Sequence, residues 1–339
     1  MKKLENTQYK KVTLKDIAEK CGVSFNTVSR ALNDKDDISE KTKKFINETA
    51  TSMGYIRNSV ASSLRSGYTK TITLIIGDIS NPAFSIMGKK IEVALSQENY
   101  NMFIINTDED PKTEYKAVIS ALSKNVDGII LCPTQKDSAA IDLLKQRNIP
   151  FILMARRFDD IKTDYVVCDD ENGGFIATEH LIKLGHKDIL FVNAPSFISS
   201  SRERFSGYRR ALETYNIPFK EELVTSSPLG SPNSFDFIKN NILKTINFSA
   251  VFTFNDVIAW QIIYALNKLG YRTPEDIEVV GFDDIQSDLL FPLFITSVSS
   301  SKTKMAKELV NGILKKIKEK DKENITYINE IIPTTLKIR

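Results

Sequence analysis

Val12-Thr-Leu-Lys-Asp-Ile-Ala-Glu-Lys-Cys-Gly-Val-Ser-Phe-Asn-Thr-Val-Ser-Arg-Ala-Leu-Asn33 is the stretch from which the rest of the chain can be read. Thr13-Leu14-Lys15-Asp16 fits the Ser/Thr-x-x-Asp/Glu capping pattern: a hydroxyl takes a free helix N–H, and the acid suits the positive helix end. Ile17, Ala18 and Cys21 then give one apolar face of a short helix, and Gly22 ends it where a left-handed residue is convenient. Ser24 can cap a second helix running from Phe25 to about Leu32. With about three residues between them, the two helices have helix-turn-helix spacing, and Val23, Val28 and Leu32 can pack the pair. A third helix follows the cap Ser39, with Phe45, Ile46, Thr49 and Met53 expected on one face.

The charge around this stretch is uneven. Residues 1–70 carry 14 Lys/Arg against 8 Asp/Glu, net +6, whereas the other 269 carry 32 against 35, net −3. A basic head on a near-neutral body points to a polyanionic partner. Phe25, Asn26, Ser29 and Arg30 are expected on the exposed side of the second helix. There Arg can grip guanine O6/N7 and Asn adenine N6/N7 in a major groove. Any one of these residues could equally belong to an ordinary solvated face; spacing and charge together favour DNA reading.

The 12–33 stretch resembles the signature of the LacI/GalR family of bacterial repressors, and the resemblance extends over nearly the whole chain. It implies that Phe25, Asn26 and Arg30 read bases, while Thr13, Ser24, Thr27, Ser29 and Asn33 contact or support the phosphate backbone. Asn58 to Arg65 resembles the family's hinge helix, which is too short to be stable alone and should order only on binding. In that match Leu64 is the minor-groove wedge, Val60 and Ala61 form the contact between paired hinge helices, and Asn58 completes the DNA-binding set. Arg57 departs from the proline usual before the hinge.

From Thr71 onward, short apolar runs alternate with amphipathic ones. Strands are expected at 72–76, 102–105, 128–131, 151–154, 165–167, 189–192, 250–254 and 277–280, with helices between most of them. This reads as two doubly wound α/β lobes of parallel sheet, resembling periplasmic sugar-binding proteins, behind an all-α head. The expected boundaries are 1–57 for the head, 58–69 for hinge and linker, and 70–339 for the ligand-binding and dimerisation body. Within the body, the first lobe is expected at about 70–185 plus 300–322 and the second at about 186–299 plus 323–339.

Ligands in open α/β sheets sit beyond the carboxyl ends of strands, and there the sequence is polar: Asp78 to Phe84, Asn106 to Asp108, Asn255-Asp256 and Gly281 to Asp284. Such residues suit sugar hydroxyls, and equally serve as turn formers. By resemblance, Asp283, Asn255 and Arg204 hold effector hydroxyls, Asn81 and Phe84 line the pocket from the first lobe, and Arg156 and Asn172 are further candidates. Leu229 lies near a position where the family often has an aromatic that stacks on the sugar. His186 matches a position at a crossover between lobes, while Cys132 and Cys168 read as buried strand-end residues.

Other classes fit poorly. No apolar run nears the ~18 residues of a membrane helix, and the N-terminus lacks the apolar core of a signal peptide. Three dispersed cysteines form no metal or disulfide framework and suit a reducing cytoplasm. No G-x-G-x-x-G or P-loop motif occurs, and no Ser/His/Asp arrangement is visible, so neither an enzyme nor a cofactor is expected. The expectation is a regulator, most simply a repressor released from a pseudo-palindromic operator by a sugar or sugar phosphate. A corepressor-dependent regulator using a purine or phosphoprotein, and a solute-binding protein, are the alternatives. Residues Ile331–Arg339 read as one final strand with no heptad-patterned tail after it, which suggests a homodimer.

Overall fold

The computed structural model describes residues 12–56, 67–226, 247–288, 294–320 and 326–339. Its two compact units are Met1–Gly67 and Tyr68–Arg339. The hinge positions Arg57, Asn58, Val60, Ala61 and Leu64, and also Leu229, lie outside the described residues.

In the first unit, α1 (Leu14–Cys21), α2 (Phe25–Leu32) and α3 (Glu40–Ser52) enclose a small core of Ile17, Ala18, Val28, Ala31, Ile46 and Ala50. The expected caps are present. Thr13 forms a full capping box with Asp16, Ser24 accepts from the Thr27 N–H, and Gly22 closes α1 at φ 66°. The face of α3 differs from expectation: Lys43, Ile46 and Ala50 are buried, whereas Phe45 is 51% exposed. Lys43 can occupy that inner position because Asp34 and Glu40 take its ammonium at 2.7 and 2.8 Å. Those hydrogen-bonded carboxylates hold its pKa above the ordinary lysine range.

The second unit contains two six-stranded sheets. Sheet one comprises β1 (Thr71–Ile76), β2 (Asn101–Asn106), β3 (Gly128–Leu131), β4 (Phe151–Met154), β5 (Tyr165–Cys168) and β11 (Asn329–Ile332), in the order β11-β5-β4-β3-β1-β2. All its pairings are parallel. Sheet two comprises β6 (Ile189–Asn193), β7 (Val224–Ser226), β8 (Ala250–Thr253), β9 (Glu278–Phe282), β10 (Thr296–Ser300) and β12 (Thr334–Lys337), in the order β12-β10-β9-β8-β6-β7. It departs from the all-parallel expectation at one edge, where β12 runs antiparallel to β10. The helices are α4 (Pro82–Gln97), α5 (Pro111–Ser123), α6 (Ala139–Gln146), α7 (Asp170–Lys183), α8 (Ser199–Thr214), α9 (Asp256–Lys268) and α10 (Lys302–Lys318). Apolar clusters on both faces of each sheet form the cores.

The chain passes from one sheet to the other at 169, 301 and 333, which corrects the expected lobe boundaries. Helix α7, assigned to the first lobe by sequence, packs on α8 and on the strands of sheet two. The reason is steric. Gly174 lies where a Cβ would stand 2.2 Å from the Arg204 carbonyl oxygen, and a Cβ on Gly207 would stand 2.0 Å from that of Glu171. Only glycines allow α7 and α8 to approach so closely. The final stretch is two strands in different sheets rather than one. Pro333, without an N–H, separates β11 beside β5 from β12 beside β10. His186 likewise is not at a crossing: it follows α7 within the second lobe, with Nδ1 2.9 Å from Ser249 Oγ.

Candidate functional site

On α2 the side chains of Phe25, Asn26 and Arg30 face solvent, and Phe25 is 47% exposed despite its size. An exposed aromatic beside an amide and a guanidinium has the chemistry to meet base edges in a groove. Arg30 is steadied by Asp37, whose carboxylate lies 2.6 Å from Nε; this bond holds the Asp37 pKa below its ordinary range. Ser29, expected on the same exposed side, is buried. Its carbonyl accepts from the Asn33 side chain at 2.6 Å, so the Ser29–Asn33 bond closes the helix end. Thr13 and Ser24 expose their hydroxyls at the starts of α1 and α2, with Thr27 half-buried beside Ser24. Helix starts of this kind present N–H groups suited to a phosphate.

In the body, a cavity of about 330 Å³ opens between the carboxyl ends of the two sheets. In each sheet the chain reverses its winding direction there, between β1 and β3 and between β6 and β8. Asn81, Phe84, Arg156, Arg204, Asn255 and Asp283 all line this cavity. Asn172 does not. Its amide instead reaches Thr334 Oγ1 at 3.1 Å, tying the 169 and 333 crossings together.

The strand-to-helix turns orient the amides. Asn81 Oδ1 takes the Ala83 N–H at the start of α4, and Asn255 Oδ1 takes the Ile258 N–H at the start of α9. Each NH₂ group therefore remains as a donor. Asp283 follows β9 at φ 98°, a left-handed conformation strained for any residue with a Cβ. Among the described residues its carboxylate accepts no hydrogen bond, and burial raises its pKa from 3.8 to about 6 against the opposing pull of Arg204 and Lys302.

Arg204 is a structural member of the second lobe as well as a cavity residue. Its Nε donates to Asp170 at 2.8 Å, a terminal nitrogen donates to the Phe254 carbonyl, and the guanidinium lies 4.4 and 3.5 Å from the ring centres of Phe254 and Phe282. Arg156 makes a two-pronged pair with Glu109 at 2.8 Å for both bonds.

Sequence reading missed Asp170 and Glu109, the acids that hold the two arginines, and also Ser200, Gln261 and Lys302 on the wall; Asp78, which it placed among the polar strand ends, lines the wall too. A signal existed for Asp170, which follows a strand just as the other polar strand-end residues do. Gln261 could have been found one helical turn beyond Val257, whose face it shares. Cys132 is fully buried, but Cys168 reaches the cavity wall and bonds Ser300 Oγ at 3.1 Å. Among the described residues no group of three His, Cys, Asp or Glu is placed to hold a metal ion.

Residues 69–338 match the family described as periplasmic binding proteins and sugar binding domain of LacI family, and residues 13–58 match the bacterial regulatory proteins of the lacI family. The chain belongs to the LacI family: it is a DNA-binding transcriptional repressor with a two-lobed sensor body.

It is similar to the HTH-type transcriptional regulator DegA of Bacillus subtilis, at 31% identity over 95% of this chain and 97% of that one. It is also similar to the HTH-type transcriptional repressor PurR of Actinobacillus pleuropneumoniae, at 30% identity over 90% of this chain and 91% of that one. Among solved structures, the fold matches the lac repressor dimer bound to operator and the anti-inducer ONPF, with a TM-score of 0.82, 24% identity, and 96% and 98% coverage. Among the described residues no helix is long and apolar enough to cross a membrane.

Proposed function

We propose that the chain acts in the cytoplasm as a homodimer that occupies a pseudo-palindromic operator and leaves it when a sugar-like polyol fills the interlobe cleft. Phe25, Asn26 and Arg30 read the base edges, Thr13, Ser24 and Thr27 set the register on the phosphate backbone, and Ser29 and Asn33 support that contact by closing the end of α2. Asn58, Val60, Ala61 and Leu64 serve as the hinge contacts in the minor groove. In the cleft, Asp283 accepts from effector hydroxyls while Asn81 and Asn255 donate to them, and Arg156 and Arg204 close the polar wall. The body senses and does not catalyse, and it uses no cofactor.

The observation that carries this reading is the Asp283 carboxylate, half-buried at a left-handed φ on the wall of a cavity with two oriented amide donors and accepting no hydrogen bond among the described residues. A group held at that cost is explained by a ligand that completes it. The ligand acts by binding one lobe arrangement better than the other and shifting the population between them.

The test has two parts. Light scattering of the free chain should give a dimer, and a stable tetramer would overturn that element. An operator selected from random duplexes should then be titrated in the presence of sugars and nucleobases. Release by a sugar is expected; tightening by a nucleobase would replace this reading with a corepressor mechanism.

A further inference from the structure

We propose that the cleft takes an uncharged polyol and discriminates against its phosphorylated form, an inference that rests on the reading of the cleft as the effector site. Three cations reach the cavity wall, and each is already engaged. Arg156 lays both terminal nitrogens on Glu109 at 2.8 Å and gives one of them also to the Pro133 carbonyl at 3.0 Å. Arg204 is taken by Asp170 and by the Phe254 carbonyl. Lys302 donates to the Asp284 carbonyl at 3.2 Å and pairs with Asp288 at 3.3 Å.

Against these three stand four carboxylates on the same wall: Asp78, Glu109, Asp170 and Asp283. Asp283 is the one with no hydrogen-bond donor among the described residues. Two further acids stand in the surrounding structure. Asp256 accepts from Ile285 N–H and Ser297 Oγ at 2.8 and 2.6 Å, and Glu114 accepts from Thr134 N–H at 2.6 Å. Both bind neutral donors only, and burial lifts each pKa to about 7. At neutral pH these two carry only partial charge, so the excess of negative charge at the cavity comes from its wall, where four carboxylates face three cations.

A phosphate dianion entering this site finds both guanidiniums already bound to carboxylates, and only Nη2 of Arg204 is left without a hydrogen bond among the described residues. To gain a two-pronged hold on either it would have to displace Glu109 or Asp170, leaving a buried carboxylate without its partner. Its charge would also stand beside Asp283, where like charges repel strongly in a dry cleft. A hydroxyl meets the opposite situation. It can donate to Asp283 and accept from the NH₂ of Asn81 or Asn255, so the same groups that repel a phosphate satisfy a polyol. Phe84, Phe254 and Met87 supply apolar surface for a ring face.

The experiment compares matched pairs on the full-length chain at constant ionic strength. Glucose, ribose and cellobiose are set against glucose 6-phosphate, ribose 5-phosphate and cellobiose 6′-phosphate, by thermal shift and then calorimetric titration. At least one neutral sugar is expected to bind, with its phosphate ester weaker by at least ~100-fold. A phosphate ester that binds as tightly as its parent sugar overturns the proposal while leaving the polyol reading intact. No response from either set overturns the polyol reading, and the proposal falls with it. Glu109→Gln, which frees Arg156, supplies a second arm. Measured as a ratio within one folded variant, the preference for the neutral sugar should shrink, and an unchanged ratio counts against the proposal.

Discussion

Asp283 combines a left-handed φ of 98°, a half-buried place on the cavity wall and a carboxylate without a donor among the described residues. Its pKa of about 6 in the folded chain exceeds the ordinary 3.8, so the folded state keeps this proton after the unfolded state has released it. Stability from this group therefore falls as pH rises from about 4 through about 6, and the full penalty applies above that. Asp283→Asn keeps the shape and removes the charge. The unliganded variant should be more stable than the parent at pH 8, by on the order of 1–3 kcal/mol, with the difference vanishing toward pH 4. The same variant should bind operator normally and lose sugar-induced release. Melting curves across pH, with operator titrations alongside, check both halves. A variant less stable at pH 8 would mean that Asp283 holds the lobe together.

Among the elements, two helix arrangements position the functional side chains. The first is α2, which buries Val28 and Ala31 and leaves Phe25, Asn26 and Arg30 outward. Arg30→Ala should cost ~1–3 kcal/mol in operator binding and relax preference at one base pair per half-site. Equal losses on operator and scrambled duplex would confine Arg30 to the phosphate backbone. The second is the α7–α8 contact, where Gly174 and Gly207 permit the approach that brings Asp170 to Arg204 at 2.8 Å. Gly207→Ala places a methyl within about 2.0 Å of the Glu171 carbonyl oxygen, so the helices must separate. A loss of ~1–3 kcal/mol is expected, with weakened sugar binding because the ion pair opens. A melting temperature equal to that of the parent would show that the crossing is looser than its geometry implies.

For the whole body the lobes are joined by more than the three chain crossings. Arg157 on the first lobe meets Glu203 on the second at 2.7 Å, Asp159 meets Arg202 at 2.5 Å, and Lys90 meets Asp288 at 3.0 Å. Gln135 Oε1 also accepts from the Ser199 N–H at 2.9 Å across the lobes. These contacts favour the lobe arrangement seen here over an open one. Pairs of this exposure contribute little singly, so the effect of any one is expected to be ~0.2–1 kcal/mol. Glu203→Gln combined with Asp288→Asn should weaken sugar binding several-fold and enlarge the radius of gyration in small-angle scattering. Unchanged scattering and affinity together would remove these contacts from the switch. The sugar response should also weaken at high salt, which screens the pairs.

The sequence alone determined whatever is local in cause. Thr13 with Asp16, Ser24 and Gly22 fix the ends of α1 and the start of α2, because caps act within four residues. The central first-lobe strands were legible because strands buried on both faces need continuous apolar runs, as in Ile72–Ile76 and Gly128–Leu131. The polar strand ends contain four of the seven proposed effector residues, Asn81, Phe84, Asn255 and Asp283, since topology sends strand ends to the cleft, whereas Arg156, Asn172 and Arg204 came only from the family resemblance. What the tertiary structure decided is whatever depends on partners distant in sequence. Nothing local says that Asp170 lies against Arg204, that Glu109 neutralises Arg156, or that Asn172 turns to Thr334 instead of the cavity. Nor does a local pattern place α7 with the second lobe or divide the last strand at Pro333 between two sheets. Those outcomes depend on how closely two helices can approach and on which sheet edge is open, and both are settled only when the lobes pack.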